Sequence, residues 1–276
     1  PATTAIYPLS LHDALPISDA PDARALPTAD GHLVFTRVSF QYPTVDETSV
    51  ASLETDAAPG EPGHTVLHEV DLEVRPGQML AIVGPSGSGK STLASLVPRL
   101  YDVTEGSITL DGHDLRSVRQ DDLRARIGVV TQDPHLFHDT VGANLRYARP
   151  DATDAELDEA CRASRILDVV QRLPDGYDTV VGERGHRMSG GEKQRLAIAR
   201  LLLKDPSVVI LDEATSHLDA DSEAVVQQAL AVELDGRAAI VIAHRLSAII
   251  DGAEMGVVDD GRSAERGTPA NAAGRR

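Results

Sequence analysis

Gly84, Gly89, Lys90 and Ser91 carry the spacing G-x-x-x-x-G-K-[ST] within the run GPSGSGKST, Gly84 to Thr92. Residues of these types at this spacing can hold a polyphosphate. Around Ser86, Gly87, Ser88 and Gly89, small residues let the backbone wind its N–H groups around phosphate oxygens that side chains would block. Lys90 places a point charge on the β- and γ-phosphates, and the Ser91 hydroxyl can ligate Mg²⁺. An apolar run, Met79 to Val83, precedes the loop, and a helical apolar pattern, Leu93, Leu96, Val97 and Leu100, follows it. The order is strand, loop, helix, so the helix adds unpaired N–H groups and the positive end of its dipole. The chemistry implied is a nucleoside triphosphate site.

Two further stretches carry chemistry. Val208 to Glu213 reads as a buried strand that delivers two carboxylates at its C-terminal end, the edge where open α/β sheets bind ligands. Asp212 is placed to hold Mg²⁺ through its water shell, and Glu213 to polarise an attacking water. Between loop and strand lies Met188 to Arg195, which opens a helix with Leu196, Ile198, Leu201 and Leu202 as apolar positions. Ser189 and Glu192 have the spacing of a capping box. Ser189, Gly190 and Gly191 at a helix start also form an anion-binding surface. A domain with one phosphate loop has no evident use for a second.

These residues need a scaffold. Leu33 to Phe40 reads as a strand stopped by Tyr42-Pro43, and Val66 to Val74 as a half-buried strand alternating apolar and acidic residues. Residues 44–63 are acidic, hold no Lys or Arg, and read as a solvated surface loop. Gly106 to Gly112 is a short strand closed by an Asp-Gly turn. A second apolar strand, Ile127 to Thr131, ends at Gln132-Asp133-Pro134. Residues from about 135 to 200 break the strand-helix alternation and read as an inserted helical subdomain marked by Leu157, Cys161, Ile166, Leu167 and Val170. Alternation returns with a strand at Ser207 to Leu211, a helix over Ser222 to Leu234, a strand at Ala238 to Ala243 and a short helix after His244. Strands that are apolar throughout predict a parallel sheet covered by helices on both faces.

The 276 residues carry a formal charge of −17, which argues against nucleic acid as a partner because phosphate backbones need a basic surface. A single cysteine, Cys161, excludes an internal disulfide, fits a reducing compartment and reads as a half-buried thiol of no catalytic use. No run approaches the roughly eighteen apolar residues of a membrane span. Leu9 to Ile17 resembles the translation of a sequencing adapter, so residues 1–18 are expected to be an artefact and 1–31 an unstructured tail.

With these motifs in this order, residues 32–268 resemble the ATP-binding cassette (ABC) ATPase domain of exporter-type transporters. The resemblance implies an α/β fold: a P-loop NTPase core with a mainly parallel sheet, an N-terminal antiparallel β subdomain and an inserted α-helical subdomain. It implies that Tyr42 stacks on adenine and that Gln132 touches Mg²⁺ and water and links to a transmembrane domain. Thr179 to Gly185 resembles the segment that senses membrane-domain contacts, Met188 to Glu192 fills the signature position, and Ser216 to Asp219 the dimer-contact loop. Asp212 is implied as the metal carboxylate, Glu213 as the base and His244 as the switch histidine. The implied cofactors are ATP and Mg²⁺. The implied partners are a transmembrane domain and a second ABC ATPase domain, paired head to tail so that each ATP lies between one chain's phosphate loop and the other's Ser-Gly-Gly. The implied location is the cytoplasmic face of the cell membrane, held by transmembrane domains absent from this chain.

Some features depart from the family pattern. Met188 replaces Leu, Glu192 replaces Gln, the acidic loop is long, and the tail 269–276 stops where relatives continue, so truncation at both ends is expected. A non-transport ABC ATPase and a catalytically inactive ATP-binding domain are the alternatives. The first usually carries coiled-coil insertions or tandem cassettes, which this sequence lacks.

Overall fold

The computed structural model describes residues 17–27, 30–42, 65–182, 185–212, 223, 230, 234, 236–242 and 254–267. The acidic loop, Glu213, Ser216 to Asp219, His244 and most of the helix expected over Ser222 to Leu234 lie outside the described residues.

Strands β1 (Leu33–Gln41) and β2 (Thr65–Val74) pair antiparallel because both alternate a buried and a wet side chain. Val70, Leu72 and Val74 turn inward while Asp71 faces out. β3 (Met79–Val83) leaves this layer for a second sheet and feeds α1 (Lys90–Leu96). β4 (Glu105–Leu110) returns to pair with β1, and β5 (His113–Asp114) closes a hairpin on it, giving the order β2-β1-β4-β5. The helix over the phosphate loop is shorter than its apolar pattern suggests. It ends at Leu96, and Leu100 is 55% exposed. Arg99 stops it: its backbone turns left-handed and its buried guanidinium pairs with Asp102.

After α2 (Gln120–Arg126), β6 (Ile127–Val130) enters the second sheet. The expected helical insertion is not wholly helical. It opens and closes on a ribbon of β7 (Asp139–Thr140) and β8 (Val180–Val181), which encloses α3 (Val141–Arg146), α4 (Asp154–Ala163) and α5 (Leu167–Arg172). Then α6 (Gly190–Lys204) leads to β9 (Val208–Asp212), β10 (Ala238–Ile242), β11 (Glu254–Asp259) and β12 (Arg262–Gly267). The sheet order is β12-β11-β3-β10-β9-β6, parallel throughout except for the β11–β12 hairpin.

Successive residues of the central strands bury on opposite faces. Ile82, Ile210 and Ile240 join the core shared with the antiparallel sheet, while Val209, Leu211, Ala239 and Val241 join a second core with Ile198 and Leu201 of α6. The helical block has its own core, to which α6 contributes Leu196, Ala199 and Leu203. Met188 is buried there too, which is why a flexible apolar side chain serves in place of leucine. Cys161 is fully buried, and desolvation pushes its thiol up to about 11, so at neutral pH it holds no nucleophile.

The N-terminal tail needs correction. Residues 17–27 run along the α2 side of the molecule: Arg24 N donates to Ser117 O and Arg24 O accepts from Arg119 N, at 2.9 Å each, and Leu26 is buried in the main core. The Asp19 carboxylate also accepts the first backbone N–H of α2, from Gln120. The two large apolar residues of this stretch, Ile17 and Leu26, stand far apart among alanines, prolines and charges and give no periodicity from which this packing could be read.

Within the helical block, Asn144 of α3 is 1% exposed and fully engaged. Its Oδ1 accepts from Phe137 N, and its Nδ2 donates to the carbonyls of Phe137, Asp139 and Thr140. Removing the amide takes a partner from four backbone groups and from Arg200. Asn144→Ala should destabilise the chain by about 2–3 kcal/mol and lower its melting temperature by about 5–10 °C. Calorimetry showing no shift would mean that water replaces the amide freely.

Candidate active site

The phosphate loop is wedged between two strands. Its Ser88 carbonyl accepts from Gly261 N of the β11–β12 turn, and Gly261 O accepts from His68 N of β2. A Cβ on Gly84 would stand 2.0 Å from the carbonyl oxygen of Val258. Here glycine is required by the protein wall behind the loop, not by the phosphate in front of it. Gly87, at the exposed tip, has open space around it but a φ of +82°. Pro85, Ser86 and Gly87 face solvent, while Ser88, Gly89 and Lys90 are buried.

Lys90 is 4% exposed, yet its ammonium is well supplied with acceptors. Nζ donates to Gly84 O at 2.9 Å, Pro85 O at 2.7 Å and Ser88 Oγ at 3.5 Å. These acceptors hold the charge inside the loop. Ser91, next on α1, is exposed. Thr92 is buried and shares a 3.0 Å hydrogen bond with the Tyr42 phenol, which pins the end of β1 to the loop helix. Tyr42 packs edge-on against Phe40 and Tyr101 with centroids 4.9 and 5.3 Å away, leaving the ring 38% exposed.

Strand register aligns the rest. Ile82, Ile242 and Asp212 lie in one row, and Val130 pairs with Leu211 beside them. The phosphate loop, Asp212 and Gln132 therefore leave the sheet at the same edge. Glu213 directly follows Asp212 and His244 stands two residues past Ile242 in sequence, but both lie outside the described residues. Gln132 is exposed and Asp212 half-buried. The hydroxyl of Ser91, the amide oxygen of Gln132 and the carboxylate of Asp212 are hard oxygen donors, a set that fits Mg²⁺.

Ser189 caps α6 as its spacing predicts: its Oγ accepts from Glu192 N at 3.3 Å, and the Glu192 carboxylate accepts from Ser189 N at 2.8 Å. Glu192 is thereby turned back on its own helix. The Ser189 hydroxyl proton remains available to an anion, and Ser189 and Gly190 are exposed. Of the segment Thr179 to Gly185, Val180 is 42% exposed, while Glu183 and Arg184 lie outside the described residues.

Sequence reasoning missed the polar residues that hold the segment after β6. Arg200 of α6 donates to His135 O at 2.7 Å and Asn144 O at 2.9 Å, and it also binds Asn144 Oδ1. Gln194 of the same helix reaches Thr131 O. The available signal was Gln194 itself, a polar residue on the same helical stripe as Ile198 and Leu201.

A phosphate loop at the carboxyl edge of a parallel sheet, with an antiparallel layer on one side and a helical insertion on the other, defines a nucleotide-binding ATPase domain. A family model described as ABC transporter matches residues 67–216, and the chain belongs to that family. The ATP-dependent lipid A-core flippase of Chromobacterium violaceum is 47% identical over 245 residues, covering 89% of this chain and 39% of the flippase. The mitochondrial potassium channel ATP-binding subunit of Xenopus tropicalis is 46% identical over 261 residues, covering 94% of this chain and 35% of that protein. The solved structure of a bacterial Atm1-family ABC exporter with ATP bound superposes with a TM-score of 0.81 at 43% identity, covering 92% of this chain and 41% of that one. The chain thus spans well under half the length of these relatives. No helix among the described residues is long and apolar enough to cross a membrane.

The two glycines separate steric demand from conformational demand. Gly84→Ala should unseat the loop from Val258 and destabilise the chain by about 3 kcal/mol or more. Gly87→Ala should cost only about 1 kcal/mol of left-handed strain. Urea titration of both variants checks the order. Equal losses would show that the wall behind Gly84 yields.

Proposed function

We propose that this chain is the ATP-hydrolysing engine of an exporter-type ABC transporter, working through ATP-dependent head-to-tail dimerisation. One observation carries the reading. Two anion-directed surfaces, the Lys90 loop and the Ser189 helix start, are anchored in different cores, and both have exposed residues. Each ATP is then shared: one chain holds its phosphates in Gly84 to Thr92 and its adenine against Tyr42, and the partner presents Ser189, Gly190 and Gly191 to the γ-phosphate. The site is complete only when two chains meet.

Within it, Glu213 orients or deprotonates the attacking water, and Gln132 positions that water from the neighbouring strand. Lys90, His244 and the opposing Ser189 stabilise charge on the transferring phosphoryl group. Ser91, Gln132 and Asp212 would hold Mg²⁺, which would supply positive charge to the phosphates. Closing and opening of the pair drives transmembrane domains, which place the chain at the cytoplasmic face of the membrane.

The partner surface is supported by a groove of about 350 Å³ beside the segment that follows β6, lined by Val129, Phe137, Tyr147, Ala197 and Leu201. Val129, Phe137 and Tyr147 are 44, 42 and 71% exposed, an apolar patch adjoining a catalytic loop. A segment from the transmembrane domain seated there would touch the loop carrying Gln132. That placement favours transport over a non-transport role.

Glu213→Gln tests the chemistry. It should lower ATP turnover by about a hundredfold or more, leave ATP affinity within about twofold, and wild-type turnover should vanish in EDTA. Wild-type turnover in the variant, or a rate indifferent to EDTA, would remove the assigned base or the assigned metal.

A further inference from the structure

Gln194 is 1% exposed and stands on the inner stripe of α6. Its Nε2 donates to the carbonyl of Thr131 at 3.4 Å. That end must be the amide nitrogen, because an amide oxygen facing a carbonyl oxygen would be repelled. Its Oε1 is buried with no hydrogen-bond partner among the described residues. Methionine or leucine would fill this position without stranding an acceptor, so packing alone does not account for a glutamine here. Further along the same helix, Arg200 donates to His135 O at 2.7 Å. The segment 131–135, which carries Gln132, is thus held at both ends by one helix, and that helix begins at Ser189.

We propose that Gln194 is a positioning residue for Gln132. Its amide fixes the carbonyl just before Gln132, while Arg200 fixes the far end of the segment. Contact made by the Ser189 end of α6 with a partner chain's ATP is passed along one rigid helix to the loop that meets metal and water in the other site. The proposal rests on the role given to Gln132 above.

Gln194→Met keeps the side-chain length and removes both polar ends. Gln194→Asn keeps the amide but cannot reach Thr131, and serves as the second variant should the first fail to fold. In the whole chain, backbone amide order parameters at residues 131–133 should fall from about 0.85 toward about 0.6, with those of β6 and α6 unchanged. Unchanged values at 131–133 in a folded variant overturn the proposal. ATP turnover gives a second arm: kcat should fall about fivefold to tenfold, with KM within about twofold. Gln132→Ala combined with Gln194→Met should be no slower than Gln132→Ala alone, because both act through one group. Losses that multiply would show that Gln194 acts elsewhere. Should the wild-type chain hydrolyse no ATP, the function proposed above fails, and the order parameters alone decide the role of Gln194.

Discussion

Parallel pairing of β3, β10, β9 and β6 constrains everything else in this molecule. Hydrogen bonds between parallel strands fix which residues stand level, and here they set Ile82, Ile242 and Asp212 in one row with Val130 beside Leu211. Each strand then releases its next residues at the same edge. A slip of one residue in β9 would turn Asp212 to the other face and bury a carboxylate among leucines and isoleucines. The cost of that burial, together with strands apolar on both faces, specifies the register. Catalytic geometry follows from core packing.

The second constraint is α6. It shares one face with the core of the helical block and another with the central sheet, so it cannot move without disturbing both. Its capped start presents Ser189, and its length carries Gln194 and Arg200 against the segment after β6. An anion at one end and a transmembrane partner in the groove near Phe137 and Tyr147 would therefore act on the same rigid body. Arg200 is suited to this place: burial lowers its pKa, yet the backbone carbonyls it meets keep the guanidinium satisfied.

What could be read from the sequence was local. The glycine-lysine-serine spacing, the capping box of Ser189 and Glu192, and the Asp212 strand each obey rules that span only a few residues, and the structure has the elements where they were placed. Tertiary effects were not legible. Leu100 looks like the next turn of a helix, but the chain turns left-handed at Arg99, whose buried guanidinium pairs with exposed Asp102. The roles of Gln194 and Arg200 depend on carbonyls of Thr131 and His135 that are distant in sequence, and that of Asn144 on how the chain folds back four to seven residues upstream. Residues 17–27 look like tail because their order depends on hydrogen bonds with Ser117, Arg119 and Gln120.

The sharing of each ATP between two chains is tested most directly by complementation. Lys90→Ala removes the phosphate charge, and Ser189→Arg blocks the opposing helix start, so each variant alone should be inactive. Mixed at high concentration, they should recover hydrolysis in proportion to heterodimer, because one of the two sites then draws an intact Lys90 from one chain and an intact Ser189 from the other. A covalently linked pair of one wild-type and one doubly substituted half has no intact shared site and should be inactive. If the linked pair keeps half the wild-type rate while the mixture stays at background, each chain completes its own site, and ATP is not shared between chains.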